Sequence, residues 1–193
     1  MEILKTNNDV VDETVINKAI DVLADGGVVL YPTDTVYGLG ANIFDNKAVR
    51  NVFNIKQRSL LKPLSILVSN TDAISVVSTI SIHQKKVLEK YLPGPYTFIL
   101  KKSPIVPRVV TSGSVHVGVR VPENEIACRL ASLFPITTTS ANLSDMEVLS
   151  NPSDILDQLG CEVDLVIDVG ELKQNKASTI VDLTTKEPNF VRR

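Results

Sequence analysis

The sequence predicts an α/β fold, a single domain with a twisted mixed sheet flanked by helices. Three observations carry this. Amphipathic segments of helical period recur along the chain between short apolar runs of strand length. They intermingle without a strict βαβ beat, which favours a mixed sheet over an all-parallel one. With 193 residues, 44% of them hydrophobic, the chain can bury one sizeable core. No repeat, low-complexity tract or linker divides it, so residues 1–193 are expected to form one domain, with no additional C-terminal domain.

The first helix is expected over Asp12–Ala24, where Val15, Ile16, Ala19, Ile20 and Leu23 form one apolar stripe. Asp25-Gly26-Gly27 closes it, as glycine does at helix ends. Val28–Tyr31 then reads as a buried strand running into a loop, YPTDTVYGLG. In that loop Pro32 fixes its own φ, and Gly38 and Gly40 can adopt backbone angles closed to other residues. Asn46–Lys56 is a second amphipathic helix, and Lys62–Val68 holds a strand. Short helices are expected at Ala73–Val77 and His83–Tyr91. A Pro-Gly-Pro turn at residues 93–95 precedes the strand Tyr96–Leu100. Val115–Val121 alternates like a strand around Arg120. Glu123–Leu133 is helical, Ile136–Thr138 is a short strand, and Ser153–Leu159 is a helix that Ser153 can cap. Leu165–Ile167, Thr179–Asp182 and Phe190–Val191 complete the strands. Leu143–Pro152, long, polar and bounded by a helix, is the most lid-like connection.

The formal net charge of −2 and a pI near 5.7 give the chain no overall drive toward nucleic acid. An RNA contact would need a local basic patch. The N-terminus lacks an apolar signal core, and no apolar run approaches the length of a membrane span, so a cytoplasmic protein without a membrane partner is expected. Cys128 and Cys161 have neither metal-ligand nor CxxC spacing and are expected as buried thiols. His83 and His116 belong to no zinc pattern, and no metal site is expected.

Three clusters could carry chemistry. Lys56, Arg58 and Lys62 lie at a helix end just before a strand, where they either compensate the helix dipole or clamp phosphate. Thr137, Thr138, Thr139, Ser140 and Asn142 concentrate hydroxyl and amide groups at the end of a strand. There they serve either as an ordinary cap or as ligand groups, which mixed sheets tend to place at strand ends. Arg120, flanked by valines, needs a partner: a structural ion pair, or a substrate carboxylate bound bidentately. Phosphate-loop, dinucleotide, nucleophile-elbow and deaminase motifs are all missing, so an ATP user would need a nonstandard nucleotide site.

Taken in order, seven segments resemble the threonylcarbamoyl-AMP synthases of the YrdC/TsaC type: YPTDTVYGLG, the KxR of Lys56 and Arg58, KPL at Lys62, PGPYTF at Pro93–Phe98, VGVRVP, SAN at Ser140, and STIVDL at Ser178–Leu183. The resemblance runs from about Val15 to Arg192. It implies a YrdC-like domain with a deep concave cavity lined by basic groups. It implies a nucleotidyltransferase that condenses L-threonine, bicarbonate or carbon dioxide, and ATP into threonylcarbamoyl-AMP and pyrophosphate, with magnesium accompanying ATP. The product would serve threonylcarbamoyl modification of tRNA adenosine and pass to downstream transfer proteins. By the same resemblance Thr33, Arg120 and Thr138 contact L-threonine. Lys56, Arg58, Lys62, Ser140, Asn142, Ser150 and Arg192 serve ATP, and Lys56, Arg58 and Arg120 are the catalytic set. Four positions depart from the family pattern: Ser59 replaces a proline, Leu67 a histidine and Asp145 a glycine, and Arg192 is followed by Arg193 instead of Pro-Gly. The competing readings are a non-catalytic module for double-stranded RNA or tRNA, and carbamoyl transfer from carbamoyl phosphate. Sparse aromatics, at 5%, and the acidic pI weigh against the first.

Overall fold

The structure, a computed structural model, describes residues 1–8, 10–173, 176–185 and 187–192. In chain order its elements are β1 (Glu2–Lys5), α1 (Glu13–Ala24), β2 (Val29–Tyr31), β3 (Gly38–Gly40), α2 (Asn46–Ile55), β4 (Ser65–Leu67), α3 (Ile74–Val77), β5 (Ser78–Thr79) and α4 (Ile82–Tyr91). Then follow β6 (Tyr96–Lys102), β7 (His116–Arg120), α5 (Glu125–Leu130), β8 (Ile136–Ser140), α6 (Pro152–Leu159), β9 (Leu165–Asp168), β10 (Thr179–Asp182) and β11 (Asn189–Arg192). Among the described residues the strands form one sheet, ordered β1-β9-β2-β3-β8-β4-β7-β6-β10-β11, with β5 paired to β6. Parallel pairs (β1 with β9, β9 with β2, β4 with β7, β6 with β10) are interspersed with antiparallel ones, so the sheet is mixed, as expected.

Side chains that alternate along each strand sort the core into two faces. Val28 and Leu30 point to one side, with Val166, Ile66, Val117, Val119, Phe98 and Val181. There α2, α3, α4 and α6 cover them through residues such as Val52, Phe53, Ile74, Leu88 and Ile155. Val29, Tyr31, Leu165 and Ile167 point to the other side, under Val15, Ile16, Ala19 and Leu23 of α1 and Ile126, Ala127 and Leu130 of α5. This second face is covered by helix only on its β9–β2 side, with Leu67 and Ile136 at the margin. The rest of it is open, and that opening positions the site.

Local signals set the helix ends. Asp12 caps α1 by accepting from the Thr14 amide at 2.9 Å, and Asp45 caps α2 by accepting from the Lys47 and Ala48 amides. The cap of α6 is Asn151, one position before the first helical residue, so Ser153 lies inside the helix and does not cap it. Other expectations are revised. The fifth helix, α5, ends at Leu130, and Glu123–Leu133 is therefore too long. The end of YPTDTVYGLG is a strand, β3, paired antiparallel to β2. Its glycines avoid the left-handed region; a Cβ at Gly38 or Gly40 would lie 3.0 or 2.8 Å from the Tyr31 ring, so they are there for space. Neither β1 nor β5 was expected; the four residues of β1 are mostly exposed and too few to show a period. Cys161 is exposed and Cys128 only half-buried, contrary to the expectation of two buried thiols. Among the described residues no helix is long and apolar enough to cross a membrane.

Phe53 anchors α2 in the larger core cluster and is 2% exposed. Phe53→Ala is expected to cost about 3–5 kcal/mol of folding free energy, read as a lower urea midpoint at unchanged slope.

Candidate active site

The open part of the second sheet face is a cavity of about 660 Å³. Its floor follows from register. Thr138 of β8 pairs with Ser65 of β4, Ser65 with Gly118 of β7, Gly118 with Ile99 of β6, and Ile99 with Asp182 of β10. All five residues line the cavity, forming one row across five strands. Gly118 keeps the floor low, because a Cβ there would lie 2.6 Å from Ser65 Oγ and 3.3 Å from Thr97 Cγ2. Four cationic side chains, Arg58, Lys62, Arg120 and Arg192, surround this floor, with Asp182 as a carboxylate among the lining residues. The lining is therefore locally basic in a chain of net charge −2, which suits an anionic ligand.

At one end, Arg120 closes β7 with a side chain 6% exposed. Its Nη2 donates to Asp34 Oδ1 and to Thr35 Oγ1, the latter at 2.7 Å. The structural ion pair weighed from the sequence is thus present, on a residue that also lines the cavity. Arg120 Nε and Asp34 Oδ2 are buried without partners. The turn after β2 presents these groups. Thr33 Oγ1 accepts from the Thr35 and Val36 amides at 3.1 and 3.2 Å and donates to the Val36 carbonyl at 2.7 Å. The Thr33 side chain lines the cavity with its hydroxyl engaged in this turn. Nearby, Tyr31 donates its phenol to Thr138 Oγ1 at 3.0 Å, and burial raises the phenol pKa to about 12, keeping it a donor. Thr138, having accepted that bond, keeps its own O–H to offer to the cavity.

At the other end the KxR segment divides its work. Lys56, the C-cap of α2, is 1% exposed and points inward. Its ammonium donates to the Ser140 carbonyl, to the Asn142 carbonyl at 2.6 Å and to Asn142 Oδ1 at 3.1 Å. Three acceptors match the three donors of a charged lysine. Burial, reinforced by Arg58, pulls against that charge and lowers the pKa to about 7. Arg58 lines the cavity and holds its own loop, donating to the Lys62 and Pro63 carbonyls at 3.0 and 2.8 Å. Lys62 reaches across to Asp145 on the opposite loop, at 2.9 Å. Asp145 adopts a left-handed φ of 66°, a conformation that glycine takes without strain. Where Ser59 stands in place of proline, the turn is closed by a bond from the Leu61 amide to Ser59 Oγ at 3.2 Å.

Of the residues expected at a site, Thr33, Arg58, Lys62, Arg120, Thr138, Ser140 and Arg192 line this one cavity. Arg192 is tied by its Nε and Nη2 to the Ser178 carbonyl at 3.2 and 2.7 Å. Lys56 and Asn142 lie beneath the wall, bonded to each other. Ser150 is placed apart, its hydroxyl donating to Glu171 at 3.0 Å, and is not a lining residue. Sequence reasoning missed Ser65, Gly118, His116, Thr97, Ser178 and Asp182 as lining residues. The alternation around Arg120 could have placed Gly118 and His116 on its face of the strand; nothing local could have brought Ser65 or Asp182 to them.

Comparison with known proteins identifies relatives of the whole chain. The model of the Sua5–YciO–YrdC family, described as telomere recombination, matches residues 21–193. A threonylcarbamoyl-AMP synthase of Pyrococcus abyssi is 35% identical over the whole chain, which spans 57% of that relative's length. The crystal structure of P. abyssi Sua5 complexed with L-threonine superimposes with a TM-score of 0.93 at 34% identity, again over all of this chain and 57% of that one. The uncharacterised Escherichia coli protein YciO is 35% identical over 184 residues, covering 93% of this chain and 89% of its own. Its crystal structure gives a TM-score of 0.91, covering 100% of this chain and 96% of that one. On its match to the family model and on these whole-chain likenesses, the chain belongs to the Sua5/YciO/YrdC family.

Proposed function

We propose that this chain is an L-threonylcarbamoyladenylate synthase, a nucleotidyltransferase that joins L-threonine, bicarbonate or carbon dioxide, and ATP and releases pyrophosphate. The observation that carries the reading is the pairing, in one cavity, of a buried arginine at one end with Arg58 and Lys62 at the other. The two ends suit a carboxylate and a polyphosphate. The likeness to P. abyssi Sua5 complexed with L-threonine supports L-threonine as a substrate.

In this reading Arg120 takes the threonine carboxylate and Thr138 donates to its polar end, with Thr33 shaping the wall beside them. The amine, once it has lost a proton, adds to carbon dioxide and gives a carbamate. A carbamate oxygen attacks the α-phosphorus of ATP in line, and the bond to the pyrophosphate oxygen breaks. Arg58, Lys62 and Arg192 stabilise the negative charge on the phosphoryl and pyrophosphate oxygens. Ser140 lies on the nucleotide side, while Lys56 and Asn142 hold the strand end that carries it. The described residues contain no group of three or more His, Cys, Asp or Glu that could hold a metal. Magnesium would accompany ATP and share the neutralisation of its phosphate charge. The product would pass to downstream proteins that modify tRNA.

Three outcomes test this. Arg120→Ala is expected to lose threonine-dependent pyrophosphate release, by about 2–5 kcal/mol in transition-state stabilisation if the buried charged contact carries binding. Wild-type turnover at limiting threonine would remove Arg120 from the site, and steep, salt-sensitive RNA binding without any turnover would favour the RNA-module reading. Gly118→Val should fill the floor and depress turnover about tenfold or more, while overpacking costs only about 1–3 kcal/mol of stability; measuring activity and melting together separates the two. Lys56 gives a pH signature. Its folded pKa lies below that of an unfolded lysine, so from about 7 upward the unfolded chain keeps a proton that the folded chain releases. Stability due to this group therefore rises with pH across that window. The urea-unfolding free energy of wild type minus that of Lys56→Met should increase from about pH 6 to about pH 10; a flat difference would mean that Lys56 does not titrate there.

A further inference from the structure

The reading above asks Arg120 to hold a substrate carboxylate, and this inference rests on that reading. A guanidinium can do so only if one N–H edge is kept in a fixed direction. We propose that Asp34 is the positioning residue for amino-acid binding: it fixes Arg120 from behind the cavity wall without touching the substrates.

Three observations converge on Asp34. Thr33 and Val36 line the cavity, but Asp34 between them does not. Its side chain is 10% exposed and meets Arg120, which is 6% exposed, so each charge is buried and compensated by the other. The pair is incomplete. Nη2 alone serves Asp34 Oδ1 and Thr35 Oγ1, while Nε and Asp34 Oδ2 have no partner. Asp34 and Thr35 take up Nη2, and Nε on the same edge is buried, so Nη1 is the nitrogen left to meet a substrate carboxylate.

The direction of Asp34 is itself set. The Thr33 hydroxyl closes a turn over residue 34 by accepting from the amides of residues 35 and 36 and donating to the carbonyl of residue 36. Asp34 is thus carried on a braced loop that reaches across 86 positions of sequence to Arg120. Such supporting shells hold a contact group to within the tolerance that binding needs.

Asp34→Asn keeps the size and one acceptor oxygen and removes the charge. L-Threonine binding by calorimetry without ATP, and steady-state pyrophosphate release, are measured on the full chain. Asp34→Asn is expected to weaken threonine binding and raise KM for threonine about tenfold or more, as loss of a supporting contact does. KM for ATP should stay within about twofold, a split that general loosening would not give. Asp34→Glu, which retains the carboxylate, should recover part of the threonine affinity. If Asp34→Asn does not fold, Thr35→Val removes the second acceptor on Nη2 and should raise KM for threonine by a smaller factor. A folded Asp34→Asn, or Thr35→Val in its place, with wild-type threonine affinity overturns the proposal, as does an equal rise in both KM values. If wild type itself binds no threonine, the synthase reading fails and this inference falls with it; if wild type binds and the variant binds equally, this inference alone fails.

Discussion

A guanidinium buried at the end of a sheet strand has to meet a counter-charge, and this requirement ties the two sides of the site together. Arg120 follows Val119 at the end of β7 with a side chain only 6% exposed, so its charge needs a partner within the protein. Its carboxylate comes from Asp34, on the turn that follows β2. The pair adds little net stability, since both charges give up water to form it, but leaving either one alone is costly. Strand β7 and the YPTDT turn therefore have to be assembled together. Lys56 imposes the same kind of condition at the other end, where its ammonium needs the carbonyls of Ser140 and Asn142. Two long-range cation–oxygen contacts thus brace the wall on either side of the floor.

The floor exists because one face of the sheet is only partly covered. Helices α1 and α5 lie over β2 and β9, and the register of β8, β4, β7, β6 and β10 then leaves a row of cavity-lining residues beside them. Small residues are needed here for close approach rather than for unusual backbone angles. Gly118 meets Ser65 and Thr97, and Gly38 and Gly40 lie under the Tyr31 ring. That ring in turn directs its hydroxyl to Thr138. The packing of β2 against β3 and the polarity of the floor are one arrangement.

Whole-chain likeness alone does not select an activity. The P. abyssi synthase and E. coli YciO, which has no assigned function, are both 35% identical to this chain. The proposed activity rests on the site, where a cationic cavity holds a buried arginine at one end and the loop of Arg58 and Lys62 at the other. Lys62 is already paired to Asp145, a carboxylate in a left-handed conformation on the facing loop. Both partners are half or more exposed, so the bond is weak.

The sequence by itself determined the mixed α/β class, the helices with strong apolar stripes, and the segments that supply the cavity. Those features are local: α1 and α2 announce themselves by period, and β10 by its apolar run. It also identified Arg120 as a residue in need of a partner, because a charge among valines is anomalous wherever the chain goes. Only the tertiary structure decided that this partner is Asp34, that Lys56 faces inward while Arg58 faces the cavity, and that Ser150 lies apart on Glu171. It also decided the floor, since Ser65, Gly118, Ile99 and Asp182 belong to four strands and meet only through register. The reason is physical. Propensity and capping act over a few residues, whereas pairing of buried charges and cross-strand register depend on which distant segments the closing sheet brings together.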